Sequence, residues 1–322
     1  MALFLSRKKI ARIEVISGNR LISGYMEEMN MNYETKPLTE EEEGLIEKTI
    51  NEYADSMAPS EPRTVEEKLV FKVADEKGKL IGGCVVNIHA WGRAVLAQLW
   101  VDGQYRRHGL GSMLIRAAEK AAREKGCYYL CLGTADYMAR PLYEKHGFRV
   151  FTVNQDIPRG HVCWSLSKRL DKGAPDYIPT NNTAAERYHV EPGSREDAEI
   201  IDRGLEQFSA EVVPDRHEYI PLSKKLVDRD GRLIAAVVAG IDVDDAADID
   251  GIWVEEPCRG QGIGSYLMGE IEREARDNGA YVILSGCCDW VSGFFFKNGY
   301  TARGELPDYP KGHTAYELEK RI

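Results

Sequence analysis

No stretch of this chain stays apolar long enough to cross a bilayer: the longest run, Leu233 to Ile241, falls far short of the roughly 20 residues a spanning helix needs. A secretory leader is not expected either. Ala2-Leu3-Phe4-Leu5 precedes Arg7, Lys8 and Lys9, the reverse of the basic-then-apolar order, and no small-residue cleavage site follows, so export is not expected. The cysteines are few and odd in number, seven, and their close pairs (Cys127 with Cys131, Cys287 beside Cys288) match neither zinc spacing nor a Cys-x-x-Cys redox motif. They are expected to be reduced, buried small hydrophobes of a cytoplasmic protein, with no bound metal. Proline is scarce at 13 of 322 residues while 43% of the chain is hydrophobic, which excludes disordered, collagen-like and mucin-like classes. Basic charge is short as well: 42 Lys and Arg against 52 Asp and Glu give a formal charge of −10, which disfavours nucleic acid and anionic membrane partners and suits cationic small molecules.

What the chain has is an internal repeat. Leu99-Trp100-Val101-Asp102 returns as Ile252-Trp253-Val254-Glu255, and Arg106-Arg107-His108-Gly109-Leu110-Gly111-Ser112 returns as Arg259-Gly260-Gln261-Gly262-Ile263-Gly264-Ser265. Leu142 to Phe148 matches Phe294 to Tyr300, and Pro158-Arg159-Gly160-His161 matches Pro310-Lys311-Gly312-His313. Such a period is too long for a solenoid unit and fits a duplicated domain. The organisation read from it is an N-terminal extension at 1–31, a first domain at 32–170, a connector at 171–186 rich in Gly, Pro and Asn, and a second domain at 187–322.

Each copy opens with a helix start resembling a capping box, Thr39 with Glu42 and Ser194 with Asp197. Apolar positions follow at helical spacing (Leu45, Ile46, Ile50, Tyr53; Ile200, Ile201, Leu205, Phe208). β-rich runs flank turn signals next: Lys68 to Val73 with Leu80 to His89, and Lys225 to Val227 with Leu233 to Ile241, as antiparallel hairpins. A further strand ends at Val101 or Val254 and leads through the glycine motif into a helix that stops at Lys125-Gly126 or Asn278-Gly279. A strand, a short helix and a closing hairpin complete each unit. The expected class is α/β in the α+β sense, two domains with mixed sheets.

The loop Arg-x-x-Gly-x-Gly between strand and helix has a physical use. Glycines let backbone amides approach an anion, the helix N-terminus presents unpaired N–H groups, and the arginine adds permanent charge. A pyrophosphate fits such a loop. The Rossmann fingerprint is absent, since Gly111 and Gly264 are not followed by glycine three residues on, and no Gly-Lys-Ser/Thr supplies a Walker loop.

Both copies resemble the GCN5-related N-acetyltransferase (GNAT) superfamily, whose Arg/Gln-x-x-Gly-x-Gly/Ala signature is satisfied by Arg106, Gly109 and Gly111 and by Arg259, Gly262 and Gly264. Ala139 to Phe148 looks like its second motif, and Phe295 to Tyr300 is a looser version. The resemblance implies two tandem GNAT domains using acetyl-CoA, held by Arg106, Arg107, His108, Gly109, Leu110, Gly111 and Ser112 and by their counterparts Arg259 to Ser265. It implies that backbone amides at Leu99, Trp100 and Val101, and at Ile252, Trp253 and Val254, receive the pantetheine arm and the thioester carbonyl, and that Tyr143 is the general acid. The expected activity is N-acetylation of a small-molecule amine by a monomer or homodimer. A protein or peptide acetyltransferase and a non-catalytic acyl-CoA-binding scaffold are the rivals.

The copies differ where chemistry is expected. Phe295 stands at the position of Tyr143 and cannot donate a proton, so catalysis is expected mainly in the first domain, with the second degenerate or accessory unless Tyr300, Tyr281 or water substitutes. The first copy has no carboxylate from Ala94 to Val101, leaving His89 or Asp102 through water as candidate bases; the second has Asp248 and Asp250, either functional or part of a solvated loop. Trp100 and Trp253 are read as acyl-pocket lining or core. His161 and His313 are read as amine-facing imidazoles or parts of an inherited hairpin turn. Glu40 to Glu43 attract a cation or complement the helix dipole. Tyr143 itself could be core packing.

Overall fold

The computed structural model describes residues 34–59, 66–171, 187–213 and 217–322; the predicted extension and the connector beyond residue 171 lie outside them. In chain order the elements are β1 (Glu34–Lys36), α1 (Glu40–Met57), β2 (Glu67–Ala74), β3 (Leu80–His89), β4 (Arg93–Val101), α2 (Leu110–Glu124), β5 (Tyr129–Ala135), α3 (Arg140–Lys145), β6 (Arg149–Gln155) and β7 (Val162–Arg169). The second series is β8 (Glu191–Pro192), α4 (Arg195–Ala210), β9 (Ile220–Val227), β10 (Leu233–Ile241), β11 (Ala246–Val254), α5 (Ile263–Asp277), β12 (Val282–Cys288), α6 (Asp289–Lys297), β13 (Thr301–Pro307) and β14 (Thr314–Arg321).

These elements gather into two compact units that cut across the repeat. One holds the described residues of 1–57, 216–302 and 317–322; the other holds those of 58–215 and 303–316. In the first, β1 pairs with β9, and α1 lies on β11. In the second, β8 pairs with β2, and α4 lies on β2, β3 and β4. Each sequence copy therefore sends its leading strand and first helix onto the strands of the other. The boundaries 32–170 and 187–322 describe sequence copies, and the packed units depart from them by this exchange. Both helices carry an apolar stripe of the same period, which fixes the side that seeks a core and not which core it meets.

Within the unit built on the first copy, the strand order β6-β7-β5-β4-β3-β2-β8 is antiparallel except for β4 with β5. Helix α2 covers one face through Leu110, Leu114, Ile115, Ala118 and Ala122, all buried at helical spacing against Val86, Leu130 and Leu166. Burial of each leucine or isoleucine among them stabilises by about 1.5–3 kcal/mol. Helix α4 covers the other face closely. A Cβ on Gly83 would lie 2.4 Å from Ile201 Cδ1, so only glycine there admits the fully buried isoleucine. The other unit runs β1-β9-β10-β11-β12, parallel only between β11 and β12, with Ile263, Leu267 and Ile271 of α5 buried.

Local signals hold in detail. Both capping boxes form: Thr39 N donates to Glu42 Oε2 (2.8 Å) and Ser194 N to Asp197 Oδ2 (2.7 Å). Gly126 and Gly279 sit at positive φ just past their helices. Strand β9 is longer than predicted, reaching back to Ile220 through Pro221, because β1 pairs only with Lys225 to Val227 and leaves the proline's other edge open. All seven cysteines are free thiols, as expected; four are buried, while Cys258, Cys287 and Cys288 are half-buried rather than fully enclosed. Among the described residues no helix is long and apolar enough to cross a membrane.

Candidate active site

Strand β4 makes the site by leaving its neighbour. It pairs with β5 only from Arg93–Tyr129 to Val95–Cys131, then both strands continue without pairing each other. At the divergence its register against β3 slips, since Val86 faces Leu96 and Val85 faces Gln98, leaving Ala97 as a bulge. The second copy repeats this: β11 leaves β12 after Ile249–Ser285, and Asp250 is the bulge between Ile249 and Gly251. The segments Leu99 to Val101 and Ile252 to Val254 thus lie past a splay in both units.

Each splayed strand runs through a single 3-10 turn into the glycine loop. Arg107 (φ 64°) and Gly109 (φ 98°) adopt the left-handed conformation, as do Gly260 (φ 76°) and Gly262 (φ 83°). Alternating left-handed residues turn successive N–H groups to one side, and a 15-residue helix begins immediately after, with its first amides lacking intrahelical acceptors. The backbone of Arg106 to Ser112 and of Arg259 to Ser265 is therefore shaped for a diphosphate, and the group the sequence implies fits. The last glycine of each motif has a different task. A Cβ on Gly111 would stand 3.1 Å from Leu142 and one on Gly264 3.0 Å from Phe294, so these glycines seat α3 and α6 against the long helices.

The motif arginines brace the loop. Arg106 Nε donates to the Val101 carbonyl (3.0 Å) and Arg259 Nε to that of Val254 (2.9 Å). Arg106 also lies over the ring of Phe208 from α4, and Arg259 over that of Tyr53 from α1.

Tyr143 sits on α3 within the core of its unit, edge-on to Phe148 at 6.2 Å. Burial, with Cys84 nearby, pushes its phenol well above the ordinary range, so it holds its proton at neutral pH. The candidate bases fare poorly. Burial and then Arg93 lower His89 to about 4, too weak a base for work near neutrality. Asp102 caps the 3-10 turn by accepting from Gln104 N (3.0 Å) and pairs with Lys79 (3.1 Å), which lower its pKa against a smaller burial effect.

The remaining expectations resolve individually. Trp100 is half-buried and packs against α4, where a Cβ on Gly204 would lie 2.4 Å from its Nε1. The Pro-x-Gly-His segments are turns, closed by His161 N to Pro158 O (3.0 Å) and His313 N to Pro310 O (2.8 Å). His161 Nδ1 additionally meets Asp136 Oδ1 at 2.9 Å, with the Tyr137 ring edge-on at 5.1 Å. Glu42 serves its capping box and Lys225 Nζ, at 2.5 Å. Asp248 and Asp250 belong to strand β11 rather than a loop, and Asp244 is buried beside them.

Sequence reading missed Gln98, Asp202 and Phe208. The bulge at Ala97 reverses the alternation of β4, so that Gln98 lies on the opposite face from Leu96, and its Nε2 donates to Asp202 Oδ1 on α4 at 2.6 Å. The polar Gln98 in the otherwise apolar run from Ala94 to Val101 was the available signal.

The model of the Acetyltransferase (GNAT) family matches residues 27–148 and 181–290, more than half of the chain and once per copy. The chain belongs to the GNAT acetyltransferase family, as two tandem mixed-sheet domains. Among curated relatives, a blasticidin-S acetyltransferase of Streptomyces morookaense is 38% identical over 96 residues, 30% of this chain and 70% of that protein. A glucosamine 6-phosphate N-acetyltransferase of Trypanosoma brucei brucei is 37% identical over 78 residues, 22% of this chain and 52% of that protein, so the chain spans about half of that relative's length. Among solved structures, an acetyltransferase from Bacillus cereus ATCC 14579 has 29% identity and a TM-score of 0.39, covering 42% of this chain and 97% of its own. An aminoglycoside 6'-N-acetyltransferase complexed with coenzyme A has 16% identity and a TM-score of 0.30, covering 40% and 81%.

Proposed function

We propose that this acetyltransferase moves the acetyl group of acetyl-CoA to the amine of a small molecule, with the chemistry in the unit that carries Tyr143. The observation that carries the reading is the continuous run from splayed strand through left-handed loop to helix N-terminus, Leu99 to Ser112. When bound, acetyl-CoA supplies an activated acyl thioester. Amides of the Arg106 to Ser112 loop hold its diphosphate, and the open edge of Leu99 to Val101 orients the arm that carries the acetyl group. Tyr143 Oη holds the proton that passes to the departing sulfur. The unit with Phe295 has the same loop and lacks that phenol, which supports an accessory role for its site. The likeness to a blasticidin-S acetyltransferase also favours a small amine acceptor.

The experiment follows free thiol release from acetyl-CoA with aminoglycosides, polyamines, amino acids and peptides as acceptors. Amine-dependent release with a small molecule supports the reading. A flat trace across the panel, with coenzyme still bound, would replace it with a coenzyme-binding scaffold.

A further inference from the structure

Strands β4 and β5 pair only from Arg93–Tyr129 to Val95–Cys131 before they part. The middle pair, Ala94 with Leu130, faces the core under α2. The outer pairs, Arg93 with Tyr129 and Val95 with Cys131, point to the other face by strand alternation, and their cover comes from the far end of the sequence. Residues 303–316 of the second copy belong to the first copy's compact unit. There Leu306 and Tyr309, both buried, form one cluster with Tyr128, Tyr129 and Cys131, and Val95 packs against it.

Tyr309 is the centre of this cover. Its ring stands edge-on to Tyr129 with centroids 6.4 Å apart, and the Arg93 guanidinium lies over it at 4.9 Å, so it touches both members of the first pair. It is also edge-on to Trp91 at 6.4 Å, and its Oη donates to the Ala90 carbonyl (3.4 Å), in the turn that joins β3 to β4. Trp91 holds φ 63° there, a left-handed conformation that a bulky residue keeps only when its surroundings impose it. The hairpin is itself pinned. Tyr129 Oη donates to the Pro307 carbonyl (2.8 Å), Arg169 pairs with Asp308 (2.9 Å), and a Cβ on Gly304 would run into the Phe151 carbonyl, so only glycine lets β13 reach β6.

We propose that Tyr309 is a positioning residue of the first copy's site: the second copy's hairpin clamps the base of the splay and so sets where β4 leaves β5. A parallel ladder this short is weak by itself, since its slanted bonds stabilise less per residue than antiparallel ones. Without the clamp the parting point shifts toward Arg93, and the bulge at Ala97 and the edge from Leu99 to Val101 shift with it. The inference rests on the acetyl-CoA reading above, and it gives the copy that lacks the phenol a task in the site of the copy that has it.

The test uses the full chain carrying Gly262→Asp as parent, so that CoA binding reports the first loop, and compares Tyr309→Ala, Tyr309→Phe and Lys168→Met. Lys168→Met breaks a buried pair with Glu119 (2.7 Å) on the face covered by α2, and controls for lost stability in the same unit. Calorimetry reads CoA affinity, and peptide-resolved hydrogen exchange reads residues 93–101 without ligand. Tyr309→Ala is expected to weaken CoA by about fivefold or more and to speed exchange in residues 93–101. Tyr309→Phe keeps the ring and should stay near the parent in both, while Lys168→Met should melt lower yet bind CoA like the parent. If Tyr309→Ala does not fold, Tyr309→Leu, too short to span Arg93 and Trp91, replaces it with the same expectation. Three outcomes overturn the proposal: Tyr309→Ala matches the parent in affinity and exchange, Tyr309→Phe loses as much as Tyr309→Ala, or Lys168→Met loses as much affinity. A parent without heat on CoA addition contradicts the coenzyme reading instead. Exchange then decides alone: acceleration in residues 93–101 with Tyr309→Ala and not with Lys168→Met upholds the clamp, and any other pattern refutes it.

Discussion

The guanidinium of Arg106 lies 5.4 Å from the ring centre of Phe208, and that of Arg259 lies 5.5 Å from the ring of Tyr53. In both pairs the arginine belongs to a glycine loop and the aromatic to the first helix of the opposite copy. Each loop is thereby braced from outside its own repeat.

Phe208→Ala is therefore expected to weaken coenzyme binding at a loop more than 90 residues away in sequence. A cation–π contact at a partly exposed site contributes about 0.5–1 kcal/mol, or roughly two- to fivefold in affinity. Calorimetry with CoA reads the change, and an unaltered dissociation constant counts against the bracing role.

Replacing Tyr143 with Phe removes the phenol while keeping the ring against Phe148. Turnover is expected to fall about 10²–10⁴-fold with coenzyme affinity nearly intact. Stopped-flow thiol release on the variant decides this; unchanged turnover assigns Tyr143 to packing alone.

Glu119 and Lys168 form an ion pair of 2.7 Å in which both side chains are almost fully buried, and Glu272 with Lys320 repeats it at 2.6 Å. Lys168→Met removes the nearer cation from a buried carboxylate, leaving Arg123 at 3.9 Å, and should cost about 3 kcal/mol, while adding Glu119→Leu should recover most of the loss. Urea unfolding of the single and double variants measures both. A single variant as stable as wild type contradicts the buried pairing.

Burial, followed by the charges of Asp248, Asp244 and Asp250, pushes the Asp242 carboxyl up to about 7. A carboxyl raised above its unfolded value of about 3.9 binds more protons when folded, so stability falls as pH rises from there to about 7 and levels off beyond. Asp242→Asn should flatten this decline and exceed wild type in melting temperature above about pH 7. Parallel profiles for the two proteins would refute the assignment.

Sequence pattern revealed the elements and loops because these are local. Leu110, Leu114 and Ala118 betray the buried stripe of α2, Gly126 and Gly279 mark helix ends, and the paired signatures mark both glycine loops. The exchange was not legible. Periodicity says which side of α1 or α4 seeks a core, and with two similar cores in one chain it does not say which. The bulge at Ala97 hid the rest, because a one-residue slip moves Gln98 to the opposite face from the one simple alternation assigns. Asp202 then reads as an ordinary polar helix position until its partner is known.

The central claim is that the left-handed turn at Gly109 grips a diphosphate, and substitution of that glycine by aspartate tests it most directly. Aspartate tolerates positive φ better than other acidic residues, so the fold persists, while its carboxylate opposes the ligand's charge. Titrated with CoA, the wild-type chain should release binding heat, and the double variant Gly109→Asp/Gly262→Asp should lose at least about tenfold in affinity with an unchanged circular dichroism spectrum. Equal heats from the two proteins, or none from wild type, would contradict the account.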